Sequence, residues 1–440
     1  MAEKWEELFA RWQEQAFAAT VIATSTSEYG FREAITRWLT LATPEQRAEV
    51  TRAIGERISS DWTAAVALAV LGERSYTPAI LDAMKKATDL PFDGYTVAIE
   101  TMRDEAAVPA LMAMLEARDP KRAWGLEKAL KACTGRAPLV DRCFSPELHA
   151  AAVLAAWKRP PLAAPTLRIA QRAARWATFG LDHGGGEIRI ENTPYNGGSW
   201  PRWSRALYVN DAALYDVSSG CGTCRTILQL AGKLADHTSL DRYRAALGAI
   251  DTIEYETLTA LLPLIGRLQT SHYLASLVDL AIERVDDSAR SWLANYYPAD
   301  ADLAGGNDGV DFAPRTTHFQ SRERGPESAL STFCVLVPGQ DLAKLDEARV
   351  SEYEAAIREG ARPAVIALTW VEDRLTNWDG TDSVRALLGV ILDGHHKLAA
   401  YARAKIPARL LTITNFDAST CGETEPEDAV HEAIAALTAA

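Results

Sequence analysis

The residue types best suited to chemistry gather near the C-terminus, in Leu387-Leu-Gly-Val-Ile-Leu-Asp-Gly-His-His-Lys-Leu-Ala-Ala-Tyr401. Leu387, Leu388, Val390, Ile391 and Leu392 form an apolar run of the length of a central strand. Gly394 allows a sharp turn and a close approach to the backbone. His395, His396 and Lys397 then fall where the first N–H groups of a new helix stay unbonded within the helix. A helix start with a lysine beside it suits an anion, phosphate above all. Lys397 would supply a point charge for a phosphate oxygen, and a histidine could donate to a transferred phosphoryl group. Asp393 repels phosphate unless Mg²⁺ lies between, so it reads as a metal ligand or as the helix N-cap. A phosphotransferase also needs a carboxylate near the acceptor hydroxyl. Glu372, with Asp373 beside it, is the nearest in pattern. In the bland alternative Asp393 caps the helix, His395 is exposed, His396 packs in the core and nothing binds.

A second cluster is Cys221-Gly-Thr-Cys224, followed by a helix-like Arg225–Ala231. Two thiols at a helix start suit redox chemistry, because the dipole favours thiolate. They also suit half of a zinc site, or simple packing at a tight turn. There is no second Cys-x-x-Cys, and His183, Cys133 and Cys143 carry no ligand spacing, so zinc is not expected. Asp300, Asp302, Gly305, Asp308 and Asp311 only partly follow a calcium-loop pattern and read as a solvated acidic loop. Arg315, His318, Arg322 and Arg324 make a local basic patch, either a lid over an anion or an exposed surface.

The whole chain bounds these readings. Its 440 residues imply several domains, and 48% hydrophobic with 24% charged residues is ordinary for a folded protein. Acidic residues outnumber basic ones, 59 to 46, for a net charge of −13, which argues against nucleic acid or an anionic membrane as a partner. No apolar run is long enough to span a bilayer, and the charged N-terminus lacks a signal-peptide core. Six cysteines in so long a chain form no disulfide scaffold, so a reducing cytoplasm is expected.

Elements that could position the chemistry follow from periodicity. Residues 1–165 are rich in Ala, Leu, Glu and Arg and read as helical, opening on an amphipathic Trp5, Leu8, Phe9 and Trp12. They contain a repeat. Val66-Ala-Leu68 matches Val97-Ala-Ile99, Leu71 matches Met102, Pro78 matches Pro109, Ile80 matches Leu111, and Met84 matches Leu115, all at one offset. A weaker third copy runs through Ala129, Leu130 and Cys133. These helix pairs resemble HEAT repeats, which implies a stacked array that binds a protein partner or braces another domain. Residues 166–297 read as a small β-element, with strands at Glu187–Ile190, Leu207–Val209 and Leu214–Val217 and a turn at Asn210-Asp211, followed by helix from Ala231 to Tyr297. Residues 298–328 read as a linker or lid loop.

Residues 329–440 have α/β rhythm. Strands fall at Phe333–Val337, Ala364–Leu368, Leu387–Leu392 and Arg409–Thr414. Helices fall at Asp346–Glu359, closed by Gly360, and at His395–Lys405. On Gly360-Ala-Arg-Pro363, the strand after it, and Asp393-Gly-His-His-Lys397 placed between strand and helix, this region resembles the ParB/sulfiredoxin-like superfamily. Members with Asp-Gly-His-His-Arg at that turn include free-serine kinases. Sulfiredoxins carry cysteine where His395 stands here, and ParB proteins have a more basic motif. The resemblance implies a nucleotide, ATP or another NTP with Mg²⁺, whose phosphates sit at Gly394, His395, His396 and Lys397.

The expected fold is therefore α+β and multidomain but mainly α: a HEAT-like solenoid, a middle helical region with a small β-element carrying the cysteine pair, and a C-terminal ParB/sulfiredoxin-like domain. The expected function is binding of a nucleotide or a phosphorylated small molecule, with phosphoryl transfer or nucleotide hydrolysis through Asp393, His395, His396 and Glu372. The alternative is a non-enzymatic scaffold or regulator whose helical repeats hold a protein partner.

Overall fold

A computed structural model describes residues 42–141, 145–160, 162, 164–194, 203–219, 226–230, 234, 250–287, 290–292, 316–322, 331–375, 383–419, 421 and 424–439. The chain divides into two compact units. One comprises Met1–Pro161 with Pro194–Arg202; the other comprises Leu162–Thr193 with Trp203–Ala440.

The described part of the first unit is helical: α1 (Pro44–Gly55), α2 (Trp62–Val70), α3 (Thr77–Lys86), α4 (Asp89–Met102), α5 (Val108–Glu116), α6 (Ala123–Thr134) and α7 (Pro146–Lys158). The sequence repeat recurs as structure. A helix, a 3-10 turn at Arg74–Tyr76 and a second helix are followed by a helix, a 3-10 turn at Glu105–Ala107 and a second helix. Pro78 and Pro109 open α3 and α5, where a missing N–H costs little. The matched residues Leu68, Ile80, Met84, Ile99, Leu111 and Leu115 are all buried, so the repeat is a repeat of core positions.

The second unit overturns the mainly-α expectation. It holds a nine-stranded mixed sheet: β1 (Thr166–Ala173), β2 (Trp176–Asp182), β7 (Ser271–Leu280), β13 (Ala408–Asn415), β11 (Val365–Leu375), β12 (Ser383–Asp393), β10 (Ser331–Pro338), β9 (His318–Ser321) and β8 (Ile282–Val285), in that order. A second sheet has the order β3 (Ile188–Pro194), β4 (Trp203–Val209), β5 (Ala212–Ser219) and β6 (Thr226–Leu230). The C-terminal strands therefore share one sheet with strands from residues 166–285. Ala281 alone separates β7 from β8, yet β7 stands third in the order and β8 last. The sheet thus bends until its far edge returns to the end of β7.

The strands expected at Phe333–Val337, Ala364–Leu368, Leu387–Leu392 and Arg409–Thr414 fall on β10, β11, β12 and β13, the second and third of which run longer than expected, and the hairpin of β4 and β5 and its turn also lie where expected. Asn210 and Asp211 both have positive φ, 51° and 64°, the geometry of a two-residue hairpin turn. Two stretches expected as helix are strand instead. Thr226–Leu230 is β6, and within Ala231–Tyr297 only α8 (Tyr255–Ala260) and α9 (Leu262–Ile265) are described as helices before β7 and β8 begin. For β7 the cause is burial on both faces. Eight of the ten residues of β7 are buried, so its sequence shows no polar alternation to mark it as strand. In the glycine run Gly184–Gly186, a Cβ on Gly184 would lie 2.3 Å from the Leu268 carbonyl oxygen, and Gly186 has a positive φ of 66°.

Each face of the large sheet has its own core. On one face Leu368, Trp370, Leu388 and Val390 pack with Leu207, Tyr215 and Val217 of the small sheet and with Leu261 and Ile265. On the other, Leu387 and Ile391 pack with Val350 and Ile357 of α10 (Glu347–Arg358), Leu398 and Tyr401 of α11 (His395–Ala404), and Val430 and Ala433 of α12 (Pro426–Ala439). None of the described helices is long and apolar enough to cross a membrane.

Cys133, Cys334 and Cys421 are buried free thiols, and burial pushes them up to about 11, about 12 and about 12. The folded protein keeps these protons at a pH where the unfolded chain, with thiols near 9, gives them up. Stability therefore falls as pH rises above about 9. Urea midpoints should drop between pH 8 and pH 10, and should drop less in a Cys334→Ala/Cys421→Ala variant.

Candidate functional site

The turn from β12 into α11 is built by one glycine. Gly394 has φ +97° and stands at the N-cap of α11, so the chain leaves the sheet and at once packs its helix back onto it. A Cβ there would lie 3.2 Å from Val365 Cα and from Lys397 Cδ. The glycine is also why α11 has no side-chain cap. Thr43, Asp61, Ser145 and Asp346 cap α1, α2, α7 and α10, whereas the N-cap position of α11 is held by Gly394 and not by Asp393.

The structure brings Asp393, Gly394, His395, His396 and Lys397 together. Lys397 Nζ lies 3.0 Å from Asp393 Oδ2 and donates to the Ala364 carbonyl at 3.0 Å. This ion pair is nearly buried, with side-chain exposures of 12% and 9%. His395, 4% exposed, accepts the Gly339 N–H at Nε2, 3.1 Å away. His396 accepts the Asp346 N–H at Nε2, also at 3.1 Å. A ring nitrogen that accepts an N–H carries no proton, so both imidazoles are neutral with hydrogen on Nδ1. Tyr401 donates to the Pro363 carbonyl at 3.2 Å and closes the back of the turn. A Mg²⁺ at Asp393 would meet a carboxylate already paired with an ammonium. Among the described residues no group of three or more His, Cys, Asp or Glu is placed to hold a metal.

Glu372 is not part of this assembly. Ile366 of β11 faces Asp393 across the strand pair, whereas Glu372 faces Ala386. At about 3.4 Å per residue, Glu372 stands roughly 20 Å from the turn, at the other end of the sheet. There it is fully buried and paired with Arg205 of β4 at 2.9 Å. Asp373 holds Arg385 through two bonds of 2.7 Å, and Arg385 also reaches Glu432 of α12. Arg385 is 2% exposed, and the hydrogen bonds it donates to Asp373 hold its guanidinium further toward the charged form. At the same end the Ser271 hydroxyl lies 2.7 Å from Asn415 Oδ1 and 2.6 Å from Asp417 Oδ2. Sequence reasoning passed over Arg205 and Arg385. The signal for Arg385 was a single charge at the head of an apolar strand.

Cys221, Cys224, Cys143, Arg315, Arg324 and the aspartates 300–311 lie outside the described residues. His183 accepts the Leu162 N–H at Nε2, 3.1 Å away, and Cys133 is buried in the helical unit. His318 is buried in β9, and Arg322 continues that strand's pairing through its N–H to Ala281.

Gly394→Ala should cost at least about 1 kcal/mol, because the new side chain meets both a positive φ and contacts near 3.2 Å. Chemical denaturation of the variant against the parent chain checks this. An unchanged midpoint would mean that the turn relaxes freely.

No protein-family model, curated protein or solved structure matches this chain, so the turn is read from its own geometry.

Proposed function

We propose that the protein binds a phosphate-bearing ligand, a nucleotide, at the turn from β12 into α11. The observation that supports this reading is the coincidence of an uncapped helix N-terminus with an ammonium group. The N-cap residue of α11 is Gly394, which has no side chain to cap the first turn, and Lys397 Nζ stands within that turn against a carboxylate. A phosphate entering there would meet the positive end of the helix dipole and could replace Asp393 as counter-ion of Lys397. The two histidines present Nε2 lone pairs to main-chain N–H groups, so a histidine contact to phosphate would come from Nδ1–H. The reading is one of binding. A transfer or hydrolysis step at this turn would have to draw on Asp393, since Glu372 is remote and already paired with Arg205.

A second reading, partner binding by the helical unit, is supported by a separate observation. Trp124 and Leu148 are 61% and 62% exposed, and the Trp124 ring stacks on His149 at 4.3 Å. Exposed large apolar groups on two successive helices, α6 and α7, suit a protein interface.

Isothermal titration of the full chain with ATP, ADP and CTP, with and without Mg²⁺, tests the first reading. Removing Lys397 alone would leave Asp393 charged and buried, at a cost of several kcal/mol. The informative variant is therefore Asp393→Asn/Lys397→Met, which removes both charges. The expected result is micromolar-range binding of at least one nucleotide, lost by at least tenfold in the double variant. Binding by none of them, or equal binding in the variant, would sink the proposal. The second reading predicts that Trp124→Glu leaves nucleotide binding unchanged and abolishes capture of any partner held by the parent chain.

A further inference from the structure

The helical unit gathers positive charge in one place. From Arg118 to Arg136 six basic residues stand against two acidic ones, in a chain whose net charge is −13. Within α6, Trp124, Lys128 and Lys131 fall at helical spacing on one face, and all three are exposed. The opposite face, with Leu126, Ala129, Leu130 and Cys133, is buried. Folding adds two more lysines. Arg122, at the N-cap of α6, donates to the Ala87 carbonyl at 2.8 Å and lays its guanidinium over the Phe92 ring, 4.9 Å from the centroid. That bond draws the end of α3, with exposed Lys85 and Lys86, up to the start of α6, where Lys121 is exposed too. Two carboxylates lie within this surface, Asp82 beside Lys85 and Asp119 beside Arg122. Lysine nonetheless sets its sign. Trp124 is held in place: its ring stacks on the buried His149 of α7, centroids 4.3 Å apart and 21° from parallel, and still stands 61% exposed.

We infer that this face is a docking site for an acidic segment of a partner protein, one that carries a large apolar side chain. The acidic partner rests on the second reading above and adds its chemistry to it. Charge complementarity selects the segment. Its carboxylates meet the lysines of the face, while salt screens the acidic remainder of the chain beyond roughly 10 Å. Trp124 is the anchor. An indole already held by stacking loses little freedom on binding, and an apolar side chain laid against it removes an exposed ring from water. Nucleic acid fits less well. A polyanion runs on past the patch into the field of an acidic chain, and the cations on the face of α6 are lysines, without the forked donors through which arginine grips phosphate.

Fluorescence anisotropy of a short labelled glutamate peptide containing one phenylalanine, titrated with the full chain, tests the inference. Binding should saturate and should weaken as salt rises. It should be at least about tenfold weaker in Trp124→Ser and in Lys128→Gln/Lys131→Gln, and as much weaker for the same peptide with alanine in place of phenylalanine. The lysine variant changes only exposed residues, so it keeps the test available if Trp124→Ser disturbs the packing on His149. No binding of the peptide by the parent chain, or equal binding by the lysine variant, would overturn the inference. Tighter binding of an oligothymidylate of equal charge would assign the face to nucleic acid instead. Self-association of the parent chain in sedimentation, lost in the lysine variant, would assign it to a second copy. If the peptide fails while Trp124→Glu still abolishes capture of a partner, the partner's chemistry is wrong and the second reading stands. If Trp124→Glu leaves capture intact as well, both fall.

Discussion

A strand buried on both faces has room for charged side chains only toward its ends, and that constraint arranges the second unit. Between Ala386 and Leu392 the β12 side chains pack alternately against the small sheet and against α10, α11 and α12. Arg385 stands at one end and Asp393 at the other, and each is paired as soon as it leaves the apolar run. An unpaired charge at either place would be costly to bury. The two polar ends of the sheet are therefore separate chemical environments, and Glu372 belongs to the one that Asp393 does not.

The Asp393–Lys397 turn follows the same rule on a smaller scale. Its glycine aims α11 back at the sheet, which brings four polar residues into a nearly dry corner. There each acquires a partner: carboxylate with ammonium, imidazole with main-chain N–H. Those bonds fix the rings in one tautomer and tie the start of α11 to the loop before α10. A corner assembled in this way is preorganised, and any ligand must exchange bonds with the protein rather than fill a gap. Lys397 is the natural point of exchange, because a phosphate can take the place of the carboxylate it already holds.

The helical unit shows a different economy. Its repeated positions are the ones that pack, Leu68 with its counterpart Ile99 and Met84 with its counterpart Leu115. The short turns between helices recur with them. Thr77, at the start of α3, donates to Asp104, the residue that caps the 3-10 turn of the following pair, at 2.7 Å, and so stitches one helix pair to the next. Polar contacts between pairs thus set the spacing, while the apolar repeat supplies the core.

Much of this was legible in the residues themselves. Apolar length marked β10, β11 and β12. Gly394 and Gly360 marked the ends where a helix starts or stops, and the repeat of Val66 to Met84 in Val97 to Leu115 marked the helix pairs. Each of these rests on local chemistry: side-chain pattern, a permitted φ, a missing N–H. What the tertiary structure alone decided is pairing across long distances. β7 reads as helix in isolation because both its faces are covered, one of them by a sheet drawn from residues 188–230. Glu372 looks like a partner for Asp393 because both flank the apolar strands, yet the antiparallel register of β11 and β12 sends them to opposite ends. The strand-to-helix motif itself was set by sequence; that its histidines grip Gly339 and Asp346, some fifty residues away, is set only by the packing of α11 against α10.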